Sequence, residues 1–239
     1  MKPQIISSYE GGKHNENLPA TVNRLTKEGA YRDLSTVIIV PALGSVPTKA
    51  VASWLNLIRP PNQKNTFLFA MGMEVGQAYS QTIEAILSNP ELSTWKYLLA
   101  LEHDNIPPPD GLIRLLESME AHPEFAAIGG LYFTKGEGGV AQVWGNPAEF
   151  PLNFKPQRPV PEQLVECNGT GMGFTLFRME MFKNPKLRRP WFKTAASVAE
   201  GVFTQDLYAW TDFKKHGYRC AIDCRVKVGH YDQGSDITW

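Results

Sequence analysis

Tyr97-Leu98-Leu99-Ala100-Leu101-Glu102-His103-Asp104-Asn105-Ile106-Pro107-Pro108-Pro109-Asp110 is the segment from which the rest of the chain can be placed. Its apolar run is short enough for a buried strand, and it stops at two carboxylates that bracket a histidine. Three prolines then bar any regular continuation. Acids at the carboxyl end of a buried strand lie where open α/β sheets bind ligands, in a crevice lined by loops and unpaired backbone groups. Hard oxygen ligands suit a divalent cation, and such a cation offsets charge on a phosphate, so the segment reads as a metal and diphosphate site.

Upstream, the pattern alternates. Val37-Ile38-Ile39-Val40 is a β-branched run closed by Pro41 and Gly44, the form of a buried parallel strand. Val51, Trp54, Leu55 and Ile58 then fall at helical spacing between Pro47 and Pro60-Pro61. Thr66 to Ala70 predicts a second strand, and Val75, Ala78, Tyr79, Ile83 and Ile86 predict a second helix ending near Asn89-Pro90. Downstream, Gly111 to Met119 reads as a helix and Ala126 to Phe133 as a strand. Strand and helix in alternation, joined by short connections, predict a parallel sheet with right-handed crossovers.

At Lys135 the organisation changes. Residues 135–161 hold Gly136, Gly138, Gly139, Gly145 and five prolines, which predicts a long irregular loop with one short strand near Val140 to Trp144. Strands are predicted at Leu164 to Cys167 and Phe174 to Phe177, separated by Gly169-Thr170-Gly171-Met172-Gly173. That glycine run is followed by a strand and by no Gly-Lys-Ser/Thr, so it is neither a dinucleotide fingerprint nor a phosphate loop. A short helical turn is expected at Met179 to Phe182 and a helix from about Gln205 to His216, stopped by Gly217. Two short strands, Tyr218 to Ile222 and Arg225 to Val228, close the pattern. Residues 1–35 show no sustained period and read as an irregular arm, leaving 36–239 as one domain.

Composition narrows the function. The 239 residues carry 24 Lys plus Arg against 24 Asp plus Glu, so no net field draws the chain to nucleic acid or to an acidic membrane. No apolar run approaches the ~18 residues of a membrane span, and the polar amino terminus lacks the centre of a signal peptide, which together predict a cytoplasmic protein. Three cysteines, Cys167, Cys220 and Cys224, are too few and too oddly numbered for a disulfide framework. Cys220 and Cys224 also lack the usual spacing of zinc ligands.

Three segments, in order, resemble the glycosyltransferase A fold, in particular its family 2-like enzymes. Tyr97 to Pro109 looks like that family's strand ending in an Asp-x-Asp motif, here Glu102-His103-Asp104. Thr204-Gln205-Asp206, opening a helix that ends in Lys215-His216-Gly217-Tyr218, is similar to its Glu-Asp pair. Val226-Lys227-Val228-Gly229-His230 looks like its terminal strand, whose histidine ligates the metal. The resemblance implies a mostly parallel central sheet flanked by helices, with a small antiparallel part near the active site. It also implies a nucleotide-diphosphate sugar donor, UDP- or GDP-type, an acceptor hydroxyl, and Mn2+ or Mg2+.

By that resemblance Asp104 and His230 are metal ligands, while Glu102 meets the metal through water or holds the donor's hydroxyls. Asp206 matches the carboxylate that takes the acceptor's proton in inverting members. Pro41, Ala42, Gly44, Trp144, Gly171, Met172, Gly173 and Gln205 fall where the donor would lie. Each site residue also has a plainer role: Asp206 in a first helical turn suits the helix dipole, His230 can be an ordinary hydrogen-bonded histidine, and Glu102 and Asp104 can be solvated loop acids. Trp191 and Trp210, like Trp144, are either sugar-stacking faces or core. Pro41-Ala42-Leu43-Gly44 is apolar where the family has a polar nucleotide loop. Two further readings therefore stand beside the first, a sugar- or nucleotide-binding module without turnover and a sugar-phosphate nucleotidyltransferase.

Overall fold

A computed structural model describes residues 33–239 apart from 62 and 198–200. The chain opens with β1 (Thr36–Ala42), α1 (Thr48–Leu55), β2 (Asn65–Met71), α2 (Val75–Ser88) and β3 (Tyr97–Leu101). It continues through β4 (Asn105–Ile106), α3 (Gly111–Ala121), β5 (Ala127–Leu131), β6 (Val143–Trp144), β7 (Leu164–Cys167), β8 (Gly169–Thr170) and β9 (Phe174–Arg178). The last part holds β10 (Ala195–Ser197), β11 (Gly201–Phe203), α4 (Gln205–Lys215), β12 (Cys220–Lys227), β13 (Gly229–Asp232) and β14 (Ile237–Thr238).

The middle layer is a seven-stranded sheet in the order β2-β1-β3-β9-β5-β12-β7. Five of its strands run one way, so the sheet is mostly parallel; β9 and the edge strand β7 run against their neighbours. Side chains alternate across a strand, and the apolar runs of β1 and β3 therefore feed two cores. Val37, Ile39, Leu98 and Ala100 pack with Tyr79, Ile83 and Ile86 of α2 and with Trp210 and Phe213 of α4. Ile38, Val40, Leu99 and Leu101 pack instead with Trp54 of α1 and with Leu112, Leu115 and Met119 of α3. Helices on both faces of the sheet make the α/β layering that the alternating pattern predicts.

Several expectations are corrected. The predicted arm lies outside the described residues up to position 32; of its last residues, Leu34 and Ser35 are buried, and the Ser35 carbonyl accepts from Tyr97 N at 2.9 Å. The sheet is mostly parallel as expected, but the alternating pattern does not indicate that β9 enters between β3 and β5 in the reverse direction. The two closing strands are one strand, β12, whose register against β5 shifts between Asp223 and Lys227. Asp223 does not break it because its buried carboxylate is neutralised by Arg225, at 2.7 Å, and accepts from Ser118 Oγ at 2.6 Å. Trp191 and Trp210 are both core residues, which removes them as sugar-stacking faces. The short strand in the loop is Val143–Trp144, paired with Gly169–Thr170. Neither the β10–β11 hairpin nor the three-stranded sheet β14-β13-β4 was expected from the pattern.

Candidate active site

The site lies just past the carboxyl end of β3. Glu102 N donates to Gly173 O at 3.1 Å, which carries the β3–β9 ladder one step beyond Leu101. The alternation therefore continues, and Glu102 points to the same side as Leu98 and Ala100, the side covered by α2 and α4. Asp206 sits in the first turn of α4 on that side and is buried. Pro41 follows by two residues Ile39, whose β3 partner is Ala100, so it lies level with Glu102 on the neighbouring strand.

A second device brings two distant parts of the chain together. In the β4–β13 pair, His230 stands opposite Asn105, and Tyr231 N donates to the Asp104 carbonyl at 2.8 Å. The His230 backbone also exchanges two bonds with Trp239, both 3.0 Å. Trp54 of α1 donates its indole N–H to the Asn105 carbonyl at 2.9 Å, which fixes β4 from below. Asp104 Oδ2 consequently lies 3.5 Å from His230 Nε2, although the two residues are far apart in sequence.

The tautomer of His230 follows from its other nitrogen. Nδ1 is 2.8 Å from the Phe133 carbonyl oxygen, which can only accept, so Nδ1 carries a proton and Nε2 is the ring atom that faces Asp104. The ring also meets Tyr132 edge-on, with centroids 5.6 Å apart.

Electrostatics tie the acids into one group. Burial, with the charges of Asp104 and then Asp206, pushes the Glu102 carboxyl up to about 8. Burial also raises Asp206, against hydrogen bonds from Thr204 Oγ1 and from Leu207 N at 2.9 Å, both of which fall on Oδ1. Asp104 goes the other way. Burial would raise it, but the contacts of His230 and Lys135 outweigh burial and hold it well below the usual carboxylate range. Asp104 and Asp206 thus lie within electrostatic reach of Glu102, with Glu102 and Asp206 shifted up and Asp104 shifted down.

The remaining sequence candidates take two kinds of place. Gly171, Met172 and Gly173 are buried and form the wall behind Glu102 rather than an exposed lining. A Cβ on Gly171 would stand 2.1 Å from the Tyr132 hydroxyl, and one on Gly173 would stand 2.6 Å from the same ring, so only glycine lets this backbone approach. Gly173 N donates to the Tyr132 hydroxyl at 3.0 Å. Gly44 is exposed, Ala42 is buried beside it, and Gln205 and Trp144 are partly exposed, the latter opposite Gly169 in the β6–β8 pair. The Arg188 guanidinium packs over the Tyr208 ring at 3.5 Å and donates to its carbonyl at 2.6 Å, so it braces α4.

Three residues of the site escaped the sequence reading: Lys135, Tyr132 and Asn105. Lys135 Nζ is 2.5 Å from Asp104 Oδ2. The Asn105 side chain is fully buried against Gly173, and neither its nitrogen nor its oxygen has a partner among the described residues. Lys135 and Tyr132 follow the end of β5, where ligands gather, but the predicted strand runs on to Phe133 and so hides Tyr132 inside it.

The donor set fits a divalent ion in part. Two donors each about 2.1 Å from an ion at right angles stand roughly 3.0 Å apart, close to the Asp104–His230 separation of 3.5 Å. Among the described residues no group of three or more His, Cys, Asp and Glu side chains is set to hold an ion together. The protein offers two ligands, so an ion held there would take the rest of its shell from water or other oxygen donors. No helix among the described residues is long and apolar enough to cross a membrane.

No protein-family model and no curated protein matches the sequence. Among solved structures, the chain is similar to the crystal structure of A197 from STIV, with a TM-score of 0.58 and 17% identity over 83% of this chain and 86% of that one. At this identity the likeness is one of fold, the mixed α/β sheet and its flanking helices.

Proposed function

We propose that the chain is a metal-dependent glycosyltransferase of the glycosyltransferase A type, transferring a sugar from a UDP- or GDP-type donor to an acceptor hydroxyl with inversion. One observation carries the reading: Asp104 and His230 lie 3.5 Å apart, beside a Glu102 that feels the charges of both Asp104 and Asp206. Asp104 Oδ2 and His230 Nε2 would hold Mn2+ or Mg2+, the imidazole suiting manganese. A bound divalent cation supplies counter-charge to the departing diphosphate.

The chain's own residues do the rest. The bonds that Asp206 accepts from described residues both fall on Oδ1, which leaves Oδ2 to take the acceptor proton. The acceptor oxygen attacks the anomeric carbon as that proton leaves, and the carbon–phosphate oxygen bond breaks on the opposite face with its electron pair going to the nucleoside diphosphate. Burial makes Asp206 a stronger base than a solvated aspartate. Glu102, protonated below about pH 8, is able to donate to a sugar or ribose hydroxyl.

The test is release of nucleoside diphosphate from a panel of UDP- and GDP-sugars with Mn2+, together with thermal shifts by UDP and GDP. Release that needs Mn2+ and is lost in Asp206→Asn supports the reading. Absence of release and of any metal-dependent shift with either nucleotide refutes it, and pyrophosphate release would replace it with nucleotidyl transfer.

A further inference from the structure

The oxygen that faces His230 is already occupied. Lys135 Nζ is 2.5 Å from Asp104 Oδ2, the same atom that lies 3.5 Å from His230 Nε2. The pair it reaches is largely shielded, with the Asp104 and His230 side chains 14% and 17% exposed, while Lys135 comes to it from the rim with its side chain 33% exposed. The charge of Lys135 also reaches Glu102 and Asp232, while its direct contact is with Asp104. An ion bound by Asp104 and His230 would meet Oδ2 where the ammonium now stands, and two cations cannot share that oxygen without strong repulsion.

The backbone around Lys135 is a short glycine-rich tip. Phe133 bridges Ala141, Thr134 N donates to Val140 O at 2.9 Å, and Val140 N donates to Thr134 Oγ1 at 2.8 Å. Residues 135–139 form the tip between these pairs, with Gly136 and Gly138 at φ of 101° and 74°. Lys135 thus stands on a glycine-jointed tip whose base is pinned next to His230 through the Phe133 carbonyl.

We propose that Lys135 is the resident counter-cation of the Asp104–His230 pair, displaced when a divalent cation binds, and that the released ammonium then pairs with the donor's diphosphate. This deepens the reading above and rests on it. A lysine there holds the Asp104 carboxylate in place beside His230 before the ion arrives, and afterwards adds a second positive charge where leaving-group charge develops.

The experiment compares wild type with Lys135→Met and Lys135→Arg, using two readouts that need no turnover. Binding of Mn2+ alone is followed by loss of the free-ion electron paramagnetic resonance signal. Lys135→Met is expected to bind Mn2+ roughly five- to tenfold tighter, because it has no internal cation to displace. Binding of UDP and GDP at saturating Mn2+ is measured by calorimetry. There Lys135→Met is expected to bind roughly tenfold more weakly, with Lys135→Arg close to wild type. Mn2+ affinity unchanged or weakened in Lys135→Met overturns the competition, and nucleotide affinity unchanged in that variant overturns the diphosphate contact. If wild type and both variants, each with a native melting transition, bind neither Mn2+ nor either nucleotide, the reading of the whole site fails and this inference fails with it. That outcome is distinct from the first two, in which the wild type binds.

Discussion

Replacing Glu102 with Gln should make the protein more stable in alkaline solution while leaving it nearly unchanged in acid. In the folded chain the Glu102 carboxyl holds its proton up to about pH 8, whereas an unfolded glutamate releases it near 4.5. Folding therefore takes up a proton between these limits, and the stability of wild type falls as pH rises through that window and levels off above it. The interval is worth at most ~5 kcal/mol, at ~1.4 kcal/mol for each tenfold in proton affinity. Glu102 stays partly exposed, and solvent screening brings this to an expected ~2–3 kcal/mol. Gln is neutral at every pH and close in shape to the protonated acid. Urea denaturation with chelator present should place Glu102→Gln within ~0.5 kcal/mol of wild type at pH 4.5 and ~2–3 kcal/mol above it at pH 9. A difference that is the same at both pH values would refute the claim that burial and the charges of Asp104 and Asp206 act on this carboxyl.

Asp206→Asn is expected to lower turnover roughly a hundred- to ten-thousandfold with donor affinity within twofold of wild type, read from initial rates and calorimetry. Burial raises the Asp206 carboxyl above its ordinary 3.8, and the base must be ionised, so the acid limb of the rate profile is expected above pH 3.8 and should vanish in Asp206→Asn. Gly171→Ala forces a methyl against the Tyr132 hydroxyl at 2.1 Å and is expected to cost ~1–3 kcal/mol in urea denaturation; an unchanged midpoint would mean the wall is looser than described. Tyr132→Phe leaves the buried Gly173 N–H without its acceptor and should cost ~1–2 kcal/mol by the same measurement.

Much of the sheet was legible because its strands advertise themselves. Val37–Val40, Thr66–Ala70 and Tyr97–Leu101 are apolar runs stopped by Pro, Gly or acid, and all three are strands within one or two residues of where the pattern puts them. The direction of β9 was not legible, since Phe174–Phe177 reads the same whichever way it runs and only its pairing with β3 and β5 sets it. The break predicted at Asp223 ignored that a charge can stay in a strand when Arg225 and Ser118 neutralise and bond it. The site divides the same way. Glu102 and Asp104 were visible as acids at a strand end, but what joins Asp104 to His230 is a pairing of very short strands, β4 with β13, far below the length at which periodicity carries a signal. Lys135 was hidden because a lone lysine at the start of a glycine-rich loop looks like a solvated residue until its partner is known.

The account stands or falls on where an ion and a nucleoside diphosphate bind. A crystal structure with Mn2+ and UDP or GDP, using the anomalous signal of manganese, is predicted to place the ion within bonding distance of Asp104 and His230 Nε2, with the diphosphate on the ion's open side and Asp206 facing the same hollow. Manganese found elsewhere, or nucleotide seated away from the end of β3, would contradict it.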